Sequence, residues 1–169
     1  MAMSFKELKR ELAESLGNRD DLQSRLGYFL NLAQDRIARK YDFAEMRDKK
    51  SVFVNSSGSA DADKDRDRRV DIPRDLRDIH SAILLNGATS KKLEYITSIK
   101  WDVAVALERQ FLTGVPSQYT IFQKQVLLWR CPDAEYQLDL HYSKFPARLE
   151  SDVQYSDLEH KDDLIITVA

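Results

Sequence analysis

The chain has 169 residues, of which 43% are apolar and 32% charged, and its 26 lysines and arginines nearly balance 28 aspartates and glutamates. A chain of this length can bury a sizeable core as one domain, and its single cysteine excludes an internal disulfide and a cysteine-based zinc site. No apolar run approaches the roughly 18 residues of a membrane span, and the first residues lack a signal-peptide core. We therefore expect a single soluble, cytosolic domain over residues 1–169.

The charge is unevenly distributed along the chain. Residues 1–130 hold 23 basic and 19 acidic side chains, whereas residues 131–169 hold 3 basic and 9 acidic ones. A protein that wraps nucleic acid clusters lysine and arginine on one face and has a basic total. The acidic last stretch would repel phosphate, which argues against that class.

Residues 1–48 predict a pair of helices. Ser4 and Glu7 form a capping box, and apolar spacing predicts a helix from Phe5 to Leu16 that Gly17 ends. A second apolar stripe then predicts a longer helix with its start at Asp20 and Asp21, through the positions Leu22, Leu26, Phe29, Leu30, Ala33, Ile37 and Tyr41. A four-residue connection favours antiparallel packing as a helical hairpin, and Gly27 indicates a close approach of the helices.

Residues 49–145 are predicted to be mostly β, with one helix near residues 100–112. The predicted strands are Ser51–Val54, Ile79–Leu85, Leu93–Thr97, Tyr119–Phe122, Val126–Trp129 and Glu135–Ser143. Asn86-Gly87 predicts a hairpin turn after a strand in which Ile79, Ser81, Ile83 and Leu85 occupy alternate positions. In the last strand Tyr136, Leu138, Leu140 and Tyr142 should face the core, and the opposite face should be wet.

Residues 146–169 form a C-terminal segment that is polar at first and ends on Leu164–Ala169. Aliphatic side chains of this kind must be covered, and we expect the first two helices to cover them. The predicted fold class is therefore α+β: an N-terminal antiparallel helical hairpin packed with a small antiparallel β-sheet and one further helix.

Residues 55–69 predict a long exposed loop without a large apolar side chain, and such loops are often used in binding. Its charged residues are candidate subunit or partner contacts: Asp61, Asp63, Lys64, Asp65, Arg66, Asp67, Arg68 and Arg69. The alternating aspartates are typical of a calcium loop. However, Arg66 stands where that loop needs glycine and Ile72 where it needs glutamate, so we predict no metal site.

Two other functional classes stay open from the residues alone. Cys131, with His80, His141 or His160 as its base, is the candidate nucleophile of a small cytosolic thiol hydrolase. The basic residues of the second helix and its exit suggest a nucleic-acid-binding module, although acidic residues are interleaved with them. The sequence has no phosphate-binding glycine loop, serine elbow or HExxH motif, so we predict no catalytic residue and no cofactor.

Several segments in one order resemble the head-to-tail adaptor (connector) proteins of tailed bacteriophages, of the tail tubular protein A type. They are Asn31-Leu32-Ala33, the run from Val70 to Ile79, Leu93-Glu94-Tyr95-Ile96, the run from Gly114 to Ile121, and the run from Val126 to Tyr142. The resemblance spans roughly residues 22–165. The resemblance implies a structural role for eight positions of the family pattern: Pro73, Asp75, Gly114, Pro116, Tyr119, Pro132, Asp133 and Tyr136.

The resemblance implies a structural virion protein and no enzyme. Such proteins form an oligomeric ring, commonly of twelve subunits, between the portal protein and the tail or neck proteins. DNA passes through the lumen without sequence-specific binding. The ring thereby acts as a conduit during packaging, retention and ejection of the DNA. The implied location is the virion neck at the head-tail interface, after synthesis in the host cytoplasm and without a membrane. Family members usually continue beyond the position of Asp162 to Ile165, into a segment that often docks on the portal.

Overall fold

The computed structural model describes residues 2–54, 68–87, 89–107 and 113–169. Its contacts divide the chain into two compact units, one made of Met1–Arg47 with Ser143–Ala169 and the other of Asp48–Tyr142. The fold is α+β, as the sequence predicts, but it contains two four-stranded sheets rather than one. Within the described ranges, no helix combines the length and the apolar character that crossing a bilayer requires.

The first unit is helical. Helix α1 spans Phe5–Ser15, α2 spans Leu26–Lys40, and the short 3-10 helices Asp20–Arg25 and Ala44–Met46 flank α2. The predicted capping box at Ser4 and the left-handed Gly17 are both confirmed, and the amides of Gly17 and Asn18 close the end of α1 on the carbonyls of Glu14 and Ala13. The predicted α-helical start at Asp20 is wrong, because the first turn there is a 3-10 helix.

A C-terminal helix of the first unit, Asp162–Val168, completes its core. Ile165 is fully buried, and Leu164, Ile166 and Val168 pack against the same cluster. Its other buried members are Phe5, Leu8, Leu12, Ala13, Leu26, Leu30, Ala33, Ile37, Met46, Leu149 and Leu158. The expectation that the first two helices cover this segment is confirmed, whereas their antiparallel sense stays a prediction.

Gly27 is where α1 and α2 come close together. A Cβ atom at this position would lie 3.0 Å from the ring carbon Cζ of Phe5, which is closer than most real contacts of this kind. The close approach that the sequence indicates at Gly27 is therefore confirmed. The ring of a buried phenylalanine occupies the space that any other residue's side chain would need.

Asn31 joins α2 to the C-terminal segment. Its side-chain Oδ1 accepts the amide of Leu149 at 2.8 Å, and its Nδ2 donates to the carbonyl oxygens of Leu149 and Gly27, both at 3.0 Å. One turn further along, Gln34 accepts the hydroxyl of Ser156 at 2.6 Å. Asn31 thus binds both the N–H and the C=O of Leu149. Because Leu149 lies 118 positions further along the chain, this contact fixes a distant segment against the helix.

Asn31→Ala should lower the free energy of unfolding by about 2–3 kcal/mol, because it leaves the partly buried N–H and C=O of Leu149 without their partner. Urea unfolding measures this change, with exposed Gln23→Ala as the matched control. Asn31→Asp keeps an acceptor but loses both donors, so it should also destabilise, and less at pH 4 than at pH 7. Wild-type stability in Asn31→Ala would contradict this account.

The second unit holds most of both sheets. Its elements are β1 (Arg47–Val54), β2 (Arg69–Asp71), β3 (Leu76–Asn86), β4 (Thr89–Lys92), β5 (Glu94–Tyr95), α3 (Ser98–Leu107), β6 (Gln118–Phe122), β7 (Gln125–Trp129) and β8 (Tyr136–Lys144). The strand order is β1-β8-β3-β4 in the first sheet and β2-β7-β6-β5 in the second. Helix α3 begins earlier than Trp101, and its predicted continuation over residues 108–112 lies outside the described residues.

Strand β3 differs from its predicted pattern in two ways. The Asn86-Gly87 turn is confirmed, since Asn86 pairs with Thr89, but the return path leaves the first sheet at Leu93, and β5 joins the second sheet parallel to β6. The fully buried residues of β3 are Ala82 and Leu84, which do not belong to the alternating set Ile79, Ser81, Ile83 and Leu85. Both faces of this strand carry apolar side chains, and alternation alone could not choose between them.

The turn between β6 and β7 is made by two residues that are not glycine. Phe122 pairs with Gln125, and Gln123 and Lys124 between them have φ of 49° and 62°. Two successive positive φ values are the requirement of a type I′ hairpin turn, which favours Asn-Gly. A positive φ is energetically unfavourable for residues other than glycine, so Gln123 and Lys124 adopt an unfavourable backbone conformation in this turn.

Replacing Gln123-Lys124 by Asn-Gly should raise the free energy of unfolding by about 0.5–1 kcal/mol, because these residues adopt positive φ more readily. Thermal and urea unfolding measure the change. Gln123→Pro, which cannot adopt positive φ, should destabilise and is the matched control. A destabilised Asn-Gly variant would be inconsistent with this turn geometry.

Strand β8 buries both of its faces at its centre. Tyr136, Leu138, Leu140 and Tyr142 are buried as predicted, but Asp139 on the opposite face is only 4% exposed, so the prediction of a wet face is wrong there. Lys49 of β1 lies 2.6 Å from its carboxylate, and Gln137 donates to it at 2.8 Å. Burial opposes ionisation of Asp139, yet hydrogen bonds from Lys49, Gln137 and Ser51 outweigh it and lower its pKa to about 2.

The depressed pKa of Asp139 makes a pH-dependent contribution to stability. Because the folded pKa lies below the ordinary value of 3.8, the contribution is complete above about pH 4 and is lost as pH falls towards 2. Asp139→Asn should therefore be less stable than the wild type at pH 7, and the difference should shrink between pH 4 and pH 2. Urea titrations at pH 7, 4 and 2 measure it, with exposed Asp75→Asn as the control. A difference independent of pH would contradict the ion pair.

Candidate interaction surfaces

The predicted charged loop lies mostly outside the described residues, which include only its last two positions. Asp61, Asp63, Lys64, Asp65, Arg66 and Asp67 belong to the part that is not described. Arg69 is exposed and begins β2. Arg68 is only 8% exposed, so it does not belong to a solvated loop as the sequence predicted.

Arg68 is part of an aromatic cluster in the second unit. Its guanidinium carbon lies 5.5 Å from the ring centroid of Trp101, and burial lowers the pKa of Arg68 from its ordinary value. Trp101 of α3 meets Trp129 of β7 edge to face, with ring centroids 5.4 Å apart. This cluster holds α3 against the second sheet and explains why a cation directly after the charged loop is buried.

The positions marked by the family pattern build turns and core in the second unit. The carbonyl of Pro73 accepts the amide of Leu76 at 3.2 Å in the turn that contains Asp75, and the amide of Gly114 donates to the carbonyl of Cys131 at 2.9 Å. The buried members of the set are Pro116, Tyr119, Pro132 and Tyr136. These residues thus lie in turns and in the core, and a structural role for them in the family stays a prediction.

Asp133 and Tyr136 form the tightest of these turn contacts. The Tyr136 hydroxyl donates to Asp133 Oδ1 at 2.5 Å, and this hydrogen bond to the carboxylate raises the pKa of the tyrosine. The bond closes the turn that precedes β8. The phenol therefore acts as a structural donor, and its ring belongs to the core of the second unit.

Cys131 lacks the exposure that a catalytic thiol needs. Its side chain is 2% exposed, and its backbone carbonyl is engaged by Gly114. Among the residues that the structure describes, no three histidine, cysteine, aspartate or glutamate side chains come together in a way that could hold a metal ion. The geometry gives the thiol hydrolase alternative no support.

The basic residues near the end of α2 are engaged within the first unit. Arg39 lies over the ring of Phe145, with 5.4 Å between the guanidinium carbon and the centroid, and Lys40 lies at the same distance over Tyr41. Arg47 forms an ion pair with Asp42 at 2.9 Å. Cations held over aromatic rings and beside a carboxylate do not form a phosphate track, so the nucleic-acid alternative also gains no support.

Exposed apolar side chains mark the surfaces of both units. In the first unit they are Leu16, Tyr28, Tyr41, Val153 and Tyr155, and in the second unit Phe53, Tyr95, Ile99, Val103, Val115 and Phe122. Sequence reasoning missed the pair Val153 and Tyr155, although two apolar residues inside the polar stretch after residue 146 were a visible signal. Such side chains are where an assembly subunit makes contacts.

A groove of about 210 Å³ lies on the outer side of α2 in the first unit. Its lining comprises Tyr28, Asn31, Leu32, Asp35 and Arg148. Asn31 connects the helix to the chain beside Arg148, so the same amide that closes the unit also shapes the groove. Its lining thus combines the apolar surface of Tyr28 and Leu32 with one acidic and one basic side chain.

No curated protein shows significant similarity to this chain. The pattern of the SU10 adaptor protein family, in contrast, matches residues 3–169. The match includes both units and agrees with the phage adaptor family that the sequence motifs predict. The chain therefore belongs to the SU10 adaptor protein family, a family of phage head-to-tail adaptors.

Proposed function

We propose that this phage structural adaptor forms an oligomeric ring of twelve subunits in the virion neck, between the portal and the tail. The ring serves as a conduit for DNA, which it helps to retain after packaging and to release on ejection. The observation that carries the proposal is the family match over residues 3–169, which includes both units. Portal and tail proteins are its proposed partners.

The exposed apolar side chains support the proposal of a ring. Each subunit of a ring presents two different surfaces to its neighbours, and both must bury apolar area to be stable. Val153, Tyr155 and Tyr28 are exposed in the first unit, and Ile99 and Val103 lie one turn apart on α3 in the second. Both units thus carry side chains that gain by being covered.

The acidic last stretch gives less support to a DNA-conducting lumen than its net charge suggests. Five of the nine acids in residues 131–169 bond within their own unit: Asp133, Asp139, Asp152, Asp157 and Asp162. Lysines pair with Asp139 and Asp152, and the other three carboxylates accept hydrogen bonds. The proposal of a lumen rests on the family.

Three finer expectations are part of the proposal. The segment from Asp61 to Arg69 contacts a neighbouring subunit or a partner. Among its described residues, Arg69 is exposed and therefore available for this contact. Residues 1–48 form an antiparallel hairpin. Residues 1–169 unfold as a single domain, although their contacts divide into two units.

Light scattering after size-exclusion chromatography tests the ring. The purified protein, alone or mixed with portal, should give a species whose mass contains twelve copies of the 19.6 kDa subunit. Electron micrographs of the complex should show a ring below the portal. A protein that stays monomeric and does not co-elute with portal would contradict the proposal.

Cys131→Ser is the matched control that separates a structural role from a thiol enzyme. Because the thiol is buried and inaccessible to a substrate, the variant should assemble like the wild type and support infectious particles. A variant that folds and assembles but gives no infectious particles would instead favour a chemical role for the thiol.

A further inference from the structure

The turn at residues 150–155 is held unusually firmly for a surface segment. Gln154 Oε1 accepts the amides of Glu150 and Ser151 at 2.7 and 2.8 Å, and the amide of Gln154 donates to the carbonyl of Ser151 at 2.9 Å. Lys9 of α1 also forms an ion pair with Asp152. The turn is therefore fixed by its own side chains and by α1.

The same turn satisfies the start of α1. The amide of Phe5 donates to the carbonyl of Gln154 at 2.7 Å, and the amide of Lys6 donates to the carbonyl of Asp152 at 3.1 Å. The first amides of a helix have no partner within it, so these contacts give the turn a fixed place on the helix. A fixed backbone loses little conformational entropy when it binds a partner.

The large apolar side chains of this turn point away from the unit that holds it. Val153 is 76% exposed and Tyr155 is 61% exposed, whereas the neighbouring Ser156 is buried. Neither exposed side chain contributes to the core of the first unit. A rigid turn that presents a valine and a tyrosine to solvent has the properties of a binding element, because tyrosine is enriched in the central contacts of interfaces.

The groove on α2 has the matching chemistry. Tyr28 and Leu32 supply apolar surface, and Asp35 and Arg148 supply an acceptor and a donor. Neither Asp35 nor Arg148 forms an ion pair with another residue that the structure describes. A tyrosine hydroxyl can donate to a carboxylate and accept from a guanidinium at the same time, while its ring lies on the apolar floor.

We infer that the turn at residues 150–155 of one copy docks into the α2 groove of the next copy, with Tyr155 in the groove and Val153 beside it. The inference rests on the proposed ring and names the contact that joins its subunits. Turn and groove share no residue, so the contact is head-to-tail, and it forms a ring where the rotation between successive copies closes. Because both surfaces lie in the first unit, the second unit is free to make other contacts.

Mixed disulfide cross-linking tests this contact. Tyr155→Cys and Leu32→Cys are prepared as separate proteins, assembled together with portal and oxidised mildly, while buried Cys131 stays in place. The mixture should give at least tenfold more cross-linked dimer than either protein alone. Tyr41→Cys mixed with Leu32→Cys is the matched control, because Tyr41 is also an exposed tyrosine of the first unit. Val153→Cys replaces Tyr155→Cys if the latter fails to fold.

Substitutions test the same contact without a cross-link. Tyr155→Ala should raise the subunit concentration needed for ring formation at least tenfold, Tyr155→Phe should have a smaller effect, and Tyr41→Ala none. Rings of normal stability in Tyr155→Ala, or no cross-link in the mixture although rings form, would overturn the inference alone. Cross-linking of Tyr155→Cys with itself would indicate a symmetric pair and would also overturn it. A wild type that never assembles would refute the proposed ring.

Discussion

The helical unit depends on the carboxamide of Asn31, which binds the N–H and the C=O of Leu149 at once. Helices α1 and α2 leave an apolar surface that they cannot cover alone, and the chain that covers it arrives more than a hundred residues later. Asn31, with Gln34 one turn further along α2, fixes the register of that returning segment. Leu149, Leu158 and Ile165 then enter the core at defined positions, and the turn at residues 150–155 reaches the start of α1.

The second unit obtains its order in a different way. Its strands come from one continuous stretch of chain, and its family-pattern residues act on turns: Pro73 and Gly114 position backbone amides, and Asp133 fixes the phenol of Tyr136. Trp101 and Trp129 then attach α3 to the second sheet. The family-pattern residues of this unit therefore set the geometry of its scaffold, and exposed apolar side chains such as Phe53 and Phe122 lie outside that set.

Local patterns allowed much of this architecture to be predicted. The capping box at Ser4, the Asn86-Gly87 turn and the alternation from Tyr136 to Tyr142 each depend on neighbours within a few residues, and the structure confirms them. The inner face of β3, the burial of Asp139 and the transfer of β5 to a second sheet were not predictable in this way. They depend on Lys49 and on strands that lie far away in the sequence, which periodicity does not report. The same holds for the turn and groove on the first unit, whose elements only the fold brings to the surface together.

The division of the chain between the two units also sets an order of events during synthesis. Residues 48–142 form their unit from one uninterrupted stretch and can begin to make its contacts as soon as that stretch has left the ribosome. The first unit cannot, because the amides of Phe5 and Lys6, the groove beside α2 and the core around Leu30 all wait for residues 143–169. Helices α1 and α2 are therefore synthesised first, but the unit that contains them is completed last. An interrupted chain would leave the apolar faces of α1 and α2 uncovered. Under the contact proposed above, it would also lack the turn that joins a neighbouring copy.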